Sequence, residues 1–365
     1  MRLAELTPRG AHVMTVCNAC RYCEQYCPVF PAMERRLTFG STDLAYLANL
    51  CHNCGECLYA CQYAPPHEFG IDVPRTMAEV RLASYEDYAW PRACASLFRR
   101  HGVGTAIGLS AAMSALLAAG AWVAGGGVPL AGDQRGDFYA VLPHAVLVSV
   151  FGAAFLFATA AVAVGVARFW RDVSRGETTP MPAVRAAMRD VLTLRHLHRD
   201  GVDCVSAEEA RAPWRRWWHH ATFYGLLLCF ASTTVAAAYH LLFGWEAPYA
   251  YTSLPVVLGT AGGIGLLAGT VGLLALRARR DPALDDPAQD GLGASFLVLL
   301  LATTATGLVL LALRHTPAMP ALLVVHLGVV LALFVTLPYG KFVHGIYRTA
   351  ALVRSAVESA RDARR

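Results

Sequence analysis

The chain has 365 residues, of which 56% are apolar and only 16% are Asp, Glu, Lys or Arg, and its formal net charge is +5. Soluble domains usually contain about a quarter charged residues, so this composition, with a mean hydropathy of +0.41, excludes a purely soluble protein. It also excludes a disordered chain, which needs low hydrophobicity and high net charge.

Residues 1–100 are polar, and eight of the eleven cysteines lie between Cys17 and Cys61. No secretory signal precedes them, so we expect this head to stay in the reducing cytoplasm. Clustered cysteines there are metal ligands rather than disulfides. The three cysteines that stand alone are expected to be ordinary small side chains, namely Cys94, Cys204 and Cys229.

Both cysteine runs have the spacing C-x2-C-x2-C-x3-C, which is typical of proteins that bind two [4Fe–4S] clusters. In two-cluster ferredoxins the fourth cysteine of each run binds the other cluster. The spacing therefore predicts one cluster on Cys17, Cys20, Cys23 and Cys61, and a second on Cys51, Cys54, Cys57 and Cys27. Zinc sites would use pairs of ligands instead. Pro28 follows the first run, but Gln62 follows the second, which departs from the ferredoxin pattern.

A membrane-spanning helix needs about 20 apolar residues. Six stretches meet this need: 104–124, 138–167, 221–245, 249–276, 291–313 and 317–347. The sequence therefore predicts an all-α membrane protein. Its N-terminal domain, 1–100, is predicted to be ferredoxin-like and to hold two clusters. A six-helix transmembrane bundle follows over 101–347 and includes a polar segment at 168–220. Residues 348–365 form a basic tail.

Arginine and lysine alternate in density across the six spans, and ten arginines lie in 168–216. This bias predicts that the head, the 168–220 segment and both termini are cytoplasmic, in a bacterial inner membrane. Within that segment, 181–199 has the pattern of a basic amphipathic helix. We expect it to lie on the membrane surface, to lie against the head, or to be a solvated connector.

Ionisable side chains within or beside membrane spans are candidates for function. Low-spin b-type haem needs two axial imidazoles from facing helices, and six histidines are candidate ligands of one or two haems: His144, His219, His220, His240, His326 and His344. Any one of them alone is as well explained by a bond to backbone or headgroups.

Depth in the predicted topology divides these histidines into two groups. His344 shares the cytoplasmic side with His219 or His220. His144, His240 and His326 lie toward the outer side. Because His326 and His344 are 18 residues apart, one continuous helix would place them on the same face, about 27 Å apart. Pro338 and Gly340, which lie between them, permit a bend at the cytoplasmic surface. Lys341 and Arg348 are candidate contacts to haem propionates or a quinone headgroup, or alternatively anchors at the membrane surface.

Several segments together resemble the tricarballylate utilization protein B (CitB-type) family. They are the double cysteine run and the segments that begin at Asp190 (DVLTLR), His219 (HHATFYG), Arg280 (RDPAL) and His326 (HLGVVLALF), the last of which leads into LPYGKFVHGIY at 337–347. The resemblance extends over nearly the whole chain, and the membrane motifs are its discriminating part.

The resemblance implies a membrane iron–sulfur protein that reoxidises the reduced FAD of a separate tricarballylate dehydrogenase and passes the electrons to the quinone pool. A related flavoprotein of the cobalamin pathway, with a similar C-terminal half, implies haem b as well. We expect an FAD-dependent dehydrogenase, the membrane and quinone as partners, and no nucleic acid. We assign no catalytic residue, because the chain has no evident site for substrate chemistry.

Three other functions would each leave a distinct pattern in the sequence. A heterodisulfide-reductase-like subunit would have cysteine-rich repeats with adjacent cysteines, and an assembly factor for copper oxidase would have metal motifs in an outer domain; neither pattern occurs. A redox-sensing membrane transporter or regulator is the main alternative. It would need a polar path through the spans, such as buried Asp or Glu.

Overall fold

The computed structural model describes residues 2–124, 136–197, 214–279 and 286–363. These residues form helices, turns and loops and contain no strand. The helices are α1 Arg2–Cys20, α2 Val29–Glu34, α3 Ser41–Leu50, α4 Glu56–Tyr59, α5 Val73–Tyr88, α6 Arg92–Ala124, α7 Phe138–Val141, α8 His144–Ser174, α9 Met181–Thr193, α10 Trp214–Phe243, α11 Leu254–Ala278, α12 Pro287–Leu313, α13 Met319–Thr336 and α14 Val343–Asp362. The predicted all-α architecture is confirmed.

Six helices are long and apolar enough to cross a membrane, which confirms the predicted six-helix bundle. The spanning segments are Gly102–Val123, His144–Ser174, Trp214–Phe243, Leu254–Ala278, Gln289–Leu313 and Met319–Thr336. Helix α10 packs along α11 and α11 along α12, while α12 and α13 pack on α6, and α13 also contacts α8. A Cβ atom on Gly262 would lie 2.8 Å from the carbonyl oxygen of Gly225. Small residues thus let α10 and α11 approach closely.

The predicted sixth span, 317–347, is not one helix. Helix α13 ends at Thr336, and α14 begins at Val343 after a turn that contains Pro338 and Gly340. Proline has no amide hydrogen to continue the helix, and its ring crowds the preceding turn. The expectation that His326 and His344 share one face of a continuous helix is therefore wrong.

Most of the predicted basic tail, 348–365, belongs to a helix, α14. This helix packs against α3 of the head, against the end of α8, and against α9. Its inward face buries charged as well as apolar side chains, and Arg354 and Glu358 are only 3% and 2% exposed. The end of the chain is therefore part of the core of the N-terminal head.

A buried ionic network fastens α14 in place. The Glu358 carboxylate accepts hydrogen bonds from Arg36 at 2.7 Å, from Arg354 at 3.0 Å and from the Tyr46 hydroxyl at 3.0 Å. Arg354 also pairs with Glu177, which follows α8, at 2.9 Å. Buried charges are tolerated only when paired in this way, so the network joins the head, the end of α8 and the last helix.

Aromatic rings form a second contact between the head and the helices that follow. Tyr85 of α5 stacks on Tyr347 of α14 with ring centres 5.6 Å apart, and Tyr88 meets Phe169 of α8 edge-on at 5.4 Å. All four rings belong to the main hydrophobic core, which includes α1, α3 and α5 of the head. The head is therefore packed onto one end of the bundle.

The predicted amphipathic helix forms as α9, which is shorter than expected and ends at Thr193. It packs on α14 and buries Ala183 and Ala187. Because α14 lies on the head, the position of α9 is closest to the expectation that this helix lies against the head. Residues 198–199 of the predicted helix lie outside the described residues.

Candidate functional site

The structure brings together each predicted set of four cysteines. Helix α1 ends within the first run, and one cavity there is lined by Cys17, Cys20 and Cys23 together with Cys61 from the second run. A neighbouring cavity is lined by Cys27 of the first run and by Cys51, Cys54 and Cys57 of the second. Cys57 also lines the first cavity. The fourth cysteine of each run thus lies at the cavity lined by the first three cysteines of the other run.

The backbone of the second run turns sharply to present its cysteines. Gly55, which has φ +90°, precedes α4, and Asn53 also has a positive φ. A side chain on a backbone with this φ is strained, so glycine suits position 55. The backbone N–H of Asn53 donates to the Cys51 sulfur, 3.4 Å away. Such amide–sulfur contacts tune iron–sulfur centres.

The thiols are crowded together and largely shielded from water, although only Cys51 is fully buried. Burial, with the neighbouring thiols of Cys61, Cys23 and Cys20, raises the pKa of Cys17 to about 12. Burial likewise raises the pKa of Cys27 and Cys57 well above the usual range, with the other thiols of the second set adding to it. A bound metal centre deprotonates coordinating thiols outright, so its positive charge would offset this crowding.

No three Cys, His, Asp or Glu side chains in the described ranges converge closely enough to hold a single metal ion. Four thiols around a cavity suit a larger centre, because a four-iron cluster keeps its ligands further apart than one ion does. The two cysteine-lined cavities therefore fit [4Fe–4S] clusters better than structural zinc.

One pair of histidines lies at the end of the bundle that faces the head. The ring centres of His219 in α10 and His344 in α14 are 6.1 Å apart. The Nδ1 atom of His344 lies 2.6 Å from the carbonyl oxygen of Lys341, which fixes the ring and leaves Nε2 for another partner. The Nδ1 atom of His219 is buried without a hydrogen-bond partner.

This separation fits one metal atom between two imidazoles. Metal–nitrogen bonds of about 2 Å on opposite sides of an iron place the two ring centres about 6 Å apart. A ligating histidine commonly donates its other N–H to a backbone carbonyl, as His344 can to Lys341. The pair therefore fits the two axial ligands of a b-type haem.

A second pair of histidines lies at the far end of the bundle. His240, 21 residues after His219 on the same helix, is about 31 Å from it along the axis. Its ring lies only 3.7 Å from that of His144, and the ring of Tyr139 is 5.2 Å from His144. Two metal–nitrogen bonds need more space, so this pair does not have the geometry of two axial haem ligands.

The remaining candidates lie apart from both pairs. His326 is hydrogen-bonded to the Thr306 hydroxyl of α12 at 3.0 Å, and Gly307 leaves room for its ring. His220 stacks on Tyr224, with ring centres 5.7 Å apart. Among the lone cysteines, Cys94 is exposed and Cys229 half-buried, while Cys204 and the segment that begins at Arg280 lie outside the described residues.

The hydrogen bonds of Arg348 go to the head. Its guanidinium donates to the carbonyl oxygens of Cys51 at 2.6 Å and Asn49 at 3.3 Å. Lys341 contributes its carbonyl oxygen to His344, as described above. The C-terminal helix thus touches both the backbone of the second cysteine run and the histidine pair.

Comparison with known proteins identifies the family. The family model described as citrate utilization protein B matches residues 99–365, and that of its Fer4-like domain matches residues 10–87. The chain belongs to the citrate utilization protein B family. A curated protein of this name from Escherichia coli is 51% identical over 363 residues, covering 98% of this chain and 94% of its own. No solved structure matches the chain.

The two family matches divide the chain at the junction seen in the fold. All eight clustered cysteines fall within the Fer4-like match, which confirms a ferredoxin-like domain at the N-terminus. The six spanning helices and α14 fall within the other match. The resemblance to this family, inferred from sequence motifs, is thereby confirmed.

Sequence reasoning missed several polar side chains that surround the second cysteine run. Arg81 donates to the Cys51 carbonyl at 2.7 Å, and Arg215 donates to the His52 carbonyl at 3.0 Å. The rings of His52 and His196 lie 5.6 Å apart. His52 lies inside the cysteine run and was therefore visible as a candidate, but no local pattern marks the arginines, which come from distant parts of the chain.

Proposed function

We propose that this member of the citrate utilization protein B family transfers electrons from the reduced FAD of a partner dehydrogenase to the quinone pool. The electrons pass through two [4Fe–4S] clusters and one b-type haem. The observation that supports this most directly is that α14 carries both His344, whose ring lies 6.1 Å from that of His219, and Arg348, which bonds to the Cys51 carbonyl of one of the two cysteine-lined cavities. The head and both termini would face the cytoplasm, in a bacterial inner membrane.

Each cluster would supply one-electron transfer, which splits the electron pair of a reduced flavin into single steps. The four cysteines of the first set are all partly exposed, and Tyr22 at the same cavity is 62% exposed. In the second set Cys27, Cys54 and Cys57 are also partly exposed, but Cys51 is buried and Arg348 of α14 bonds to its carbonyl. The first set is therefore the better entry point for electrons from a docked flavoprotein.

His219 and His344 would hold the haem iron, and His344 would be oriented by the Lys341 carbonyl. The remaining candidate histidines are arranged differently, with His144 and His240 in close stacking and His326 bonded to a threonine. These contacts favour one haem rather than two.

The name of the Escherichia coli relative refers to citrate utilization. We infer that the partner oxidises a related tricarboxylate, with tricarballylate as the favoured substrate. Flavin dehydrogenation removes hydrogen from two adjacent carbons. Tricarballylate has such a pair at its centre, whereas the central carbon of citrate carries a hydroxyl group and no hydrogen.

The test uses the full chain purified in detergent. We expect iron and acid-labile sulfide for two clusters, a reducible haem b band, and reduction of a soluble quinone analogue when the protein is mixed with a reduced flavoprotein dehydrogenase. His344→Ala should remove the haem band and leave the clusters, whereas the control His326→Ala should leave both. Absence of clusters, or clusters that never exchange electrons with flavin or quinone, contradicts the proposal.

A redox-sensing transporter is the alternative outcome of that experiment. In that case vesicles that contain a cluster-deficient variant such as Cys20→Ala would still take up solute although electron transfer is lost. The buried acidic side chains in the described residues are Asp43, Asp286 and Glu358, and all three lie outside the six spanning segments. The described acidic residues within the spanning segments, Asp172 and Asp290, lie close to the ends of α8 and α12 and are not buried. The middle of these helices therefore offers no buried acidic group for the polar path that a transporter needs.

A further inference from the structure

Three arginines from distant parts of the chain converge on the backbone of the second cysteine run. Arg81 of α5 and Arg348 of α14 both donate to the carbonyl oxygen of Cys51, at 2.7 and 2.6 Å. Arg215, near the start of α10, donates to the next carbonyl, that of His52, at 3.0 Å. Guanidinium groups from the head, the membrane bundle and the last helix therefore meet beside one cysteine set.

Two of these cations have no carboxylate partner within the described part of the chain. The other hydrogen bonds of Arg81 go to the Ala48 carbonyl at 2.7 Å and the Gln289 side chain at 3.1 Å. Arg348 bonds otherwise to the Asn49 carbonyl. All of these acceptors are neutral, and Arg81 is only 3% exposed.

Such an arrangement is costly unless negative charge is added to it. The guanidinium groups of Arg81 and Arg348 bond to the same carbonyl oxygen, so their positive charges lie close together, and Arg81 is buried. The missing negative charge is that of the cluster itself, because four thiolates outweigh the positive charge of its iron–sulfur core.

We propose that Arg81, Arg215 and Arg348 raise the reduction potential of the cluster held by Cys51, Cys54, Cys57 and Cys27 above that of the other cluster. This makes the second set the exit cluster, from which electrons leave toward the membrane. The proposal rests on the proposed function for the presence of both clusters and for the source of the electrons.

Two effects of opposite sign act on this potential. Burial disfavours the additional negative charge of a reduced cluster and so lowers the potential, whereas nearby positive charge raises it. Charge–charge attraction is strongest where solvent is excluded, so three guanidinium groups around a buried loop outweigh burial. At the first set, Arg21 bonds to the Asn18 carbonyl from an exposed position, where water and salt screen its charge.

The step assigned to these residues is simple electron transfer. One electron leaves the reduced cluster of the first set and enters the oxidised cluster of the second, and no bond forms or breaks. The reduced flavin of the partner is the source, and haem or quinone is the acceptor. Arg348 and the nearby His344, four residues apart on α14, lie one helical turn from each other and connect the exit cluster to the histidine pair.

The experiment is a redox titration of the purified full chain, followed by electron paramagnetic resonance, with dithionite and chemical mediators but no flavoprotein or quinone. Arg348→Gln removes the charge, and Arg348→Lys keeps it without the two-carbonyl geometry. The matched control is Arg361→Gln, which removes an arginine about 20 Å further along the same helix. Cys54→Ser identifies which signal belongs to the second set.

We expect Arg348→Gln to lower the midpoint potential of the second-set cluster alone. Arg348→Lys should retain most of the wild-type value, and Arg361→Gln should leave both potentials unchanged. Arg215→Gln should shift the same cluster in the same direction, which keeps the test decisive if the protein with Arg348→Gln does not fold.

Unchanged potentials in both the Arg348→Gln and Arg215→Gln variants, equal shifts of both clusters, or equal effects of the Lys and Gln substitutions would overturn the proposal. Iron and sulfide content of the wild-type protein separates this result from failure of the proposed function. A wild type without clusters refutes the electron carrier itself, whereas two clusters with unresponsive potentials refute only the role of the arginines.

Discussion

Removal of one buried carboxylate, Glu358, tests how firmly the last helix is joined to the head. In the native protein this carboxylate accepts hydrogen bonds from Arg36, Arg354 and Tyr46 at 2.7–3.0 Å, and its side chain is 3% exposed. Glu358→Ala leaves two buried guanidinium groups with less negative charge around them. Each keeps one carboxylate, because Arg36 still pairs with Asp43 and Arg354 with Glu177.

Breaking a buried ion pair costs about 3–5 kcal/mol, and the remaining carboxylates place this substitution at the lower end, about 3 kcal/mol. For a folding unit of about 150–250 residues, each kcal/mol lowers the melting temperature by about 2–4 °C, so we expect a decrease of about 6–12 °C. The matched control is Asp362→Ala, one turn later on α14. Asp362 pairs with Arg35 at 2.6 Å but is 44% exposed, and such pairs contribute about 0–1 kcal/mol.

The measurement is thermal unfolding of the purified protein in detergent, followed by helical circular dichroism and by iron–sulfur absorbance at one fixed scan rate. We expect both signals to fall early in Glu358→Ala and near the wild-type temperature in Asp362→Ala. Equal shifts for the two variants, or a Glu358→Ala shift below about 4 °C, would refute the reasoning that α14 is held by buried charges.

Three further predictions concern the cysteines, the bundle and acid stability. Cys20→Ser and Cys54→Ser, one in each set, should each lower the measured iron content by about half rather than abolish it; complete loss in either variant would show that the two sites do not assemble separately. Gly262→Leu should weaken the α10–α11 contact, since even a Cβ there lies 2.8 Å from backbone atoms, whereas Gly104→Leu, with open space around it, should not change the melting temperature. The hydrogen bond from Arg354 lowers the pKa of Glu177 from its usual 4.5 in the folded protein, so the Glu177 carboxylate stabilises the fold fully above pH 4.5 and loses this effect as the pH falls through the lower folded-state pKa. Glu177→Gln should therefore flatten the decrease of the melting temperature in acid. An unchanged slope of melting temperature against pH would contradict this prediction.

The cysteine spacing and the long apolar stretches predicted the ferredoxin-like domain and the six spans because both signals are local. Three cysteines at fixed spacing and about 20 consecutive apolar residues each define a structure without reference to the rest of the chain. Depth in the predicted topology placed His344 on the same side as His219 or His220 without choosing between them, and in the structure the ring of His219 lies 6.1 Å from that of His344.

The break between α13 and α14 was harder to predict, since the residues around Pro338 are as apolar as those of a span. Mean hydropathy is averaged over a long stretch of residues, so it does not show a turn within an apolar stretch. The buried roles of Arg354 and Glu358 were missed for a different reason. Their partners Arg36 and Glu177 lie more than 170 positions away, so the sequence indicated only a basic tail over 348–365 and none of its contacts.

The position of α14 has a consequence for how the protein is made. The head is the first part of the chain to leave the ribosome, and domains generally begin to fold as they emerge. Yet Arg348 and Glu358, which complete the backbone contacts of the second cysteine run and the ionic core of the head, are synthesised last. The head therefore lacks these contacts until the six apolar helices between it and α14 have been synthesised.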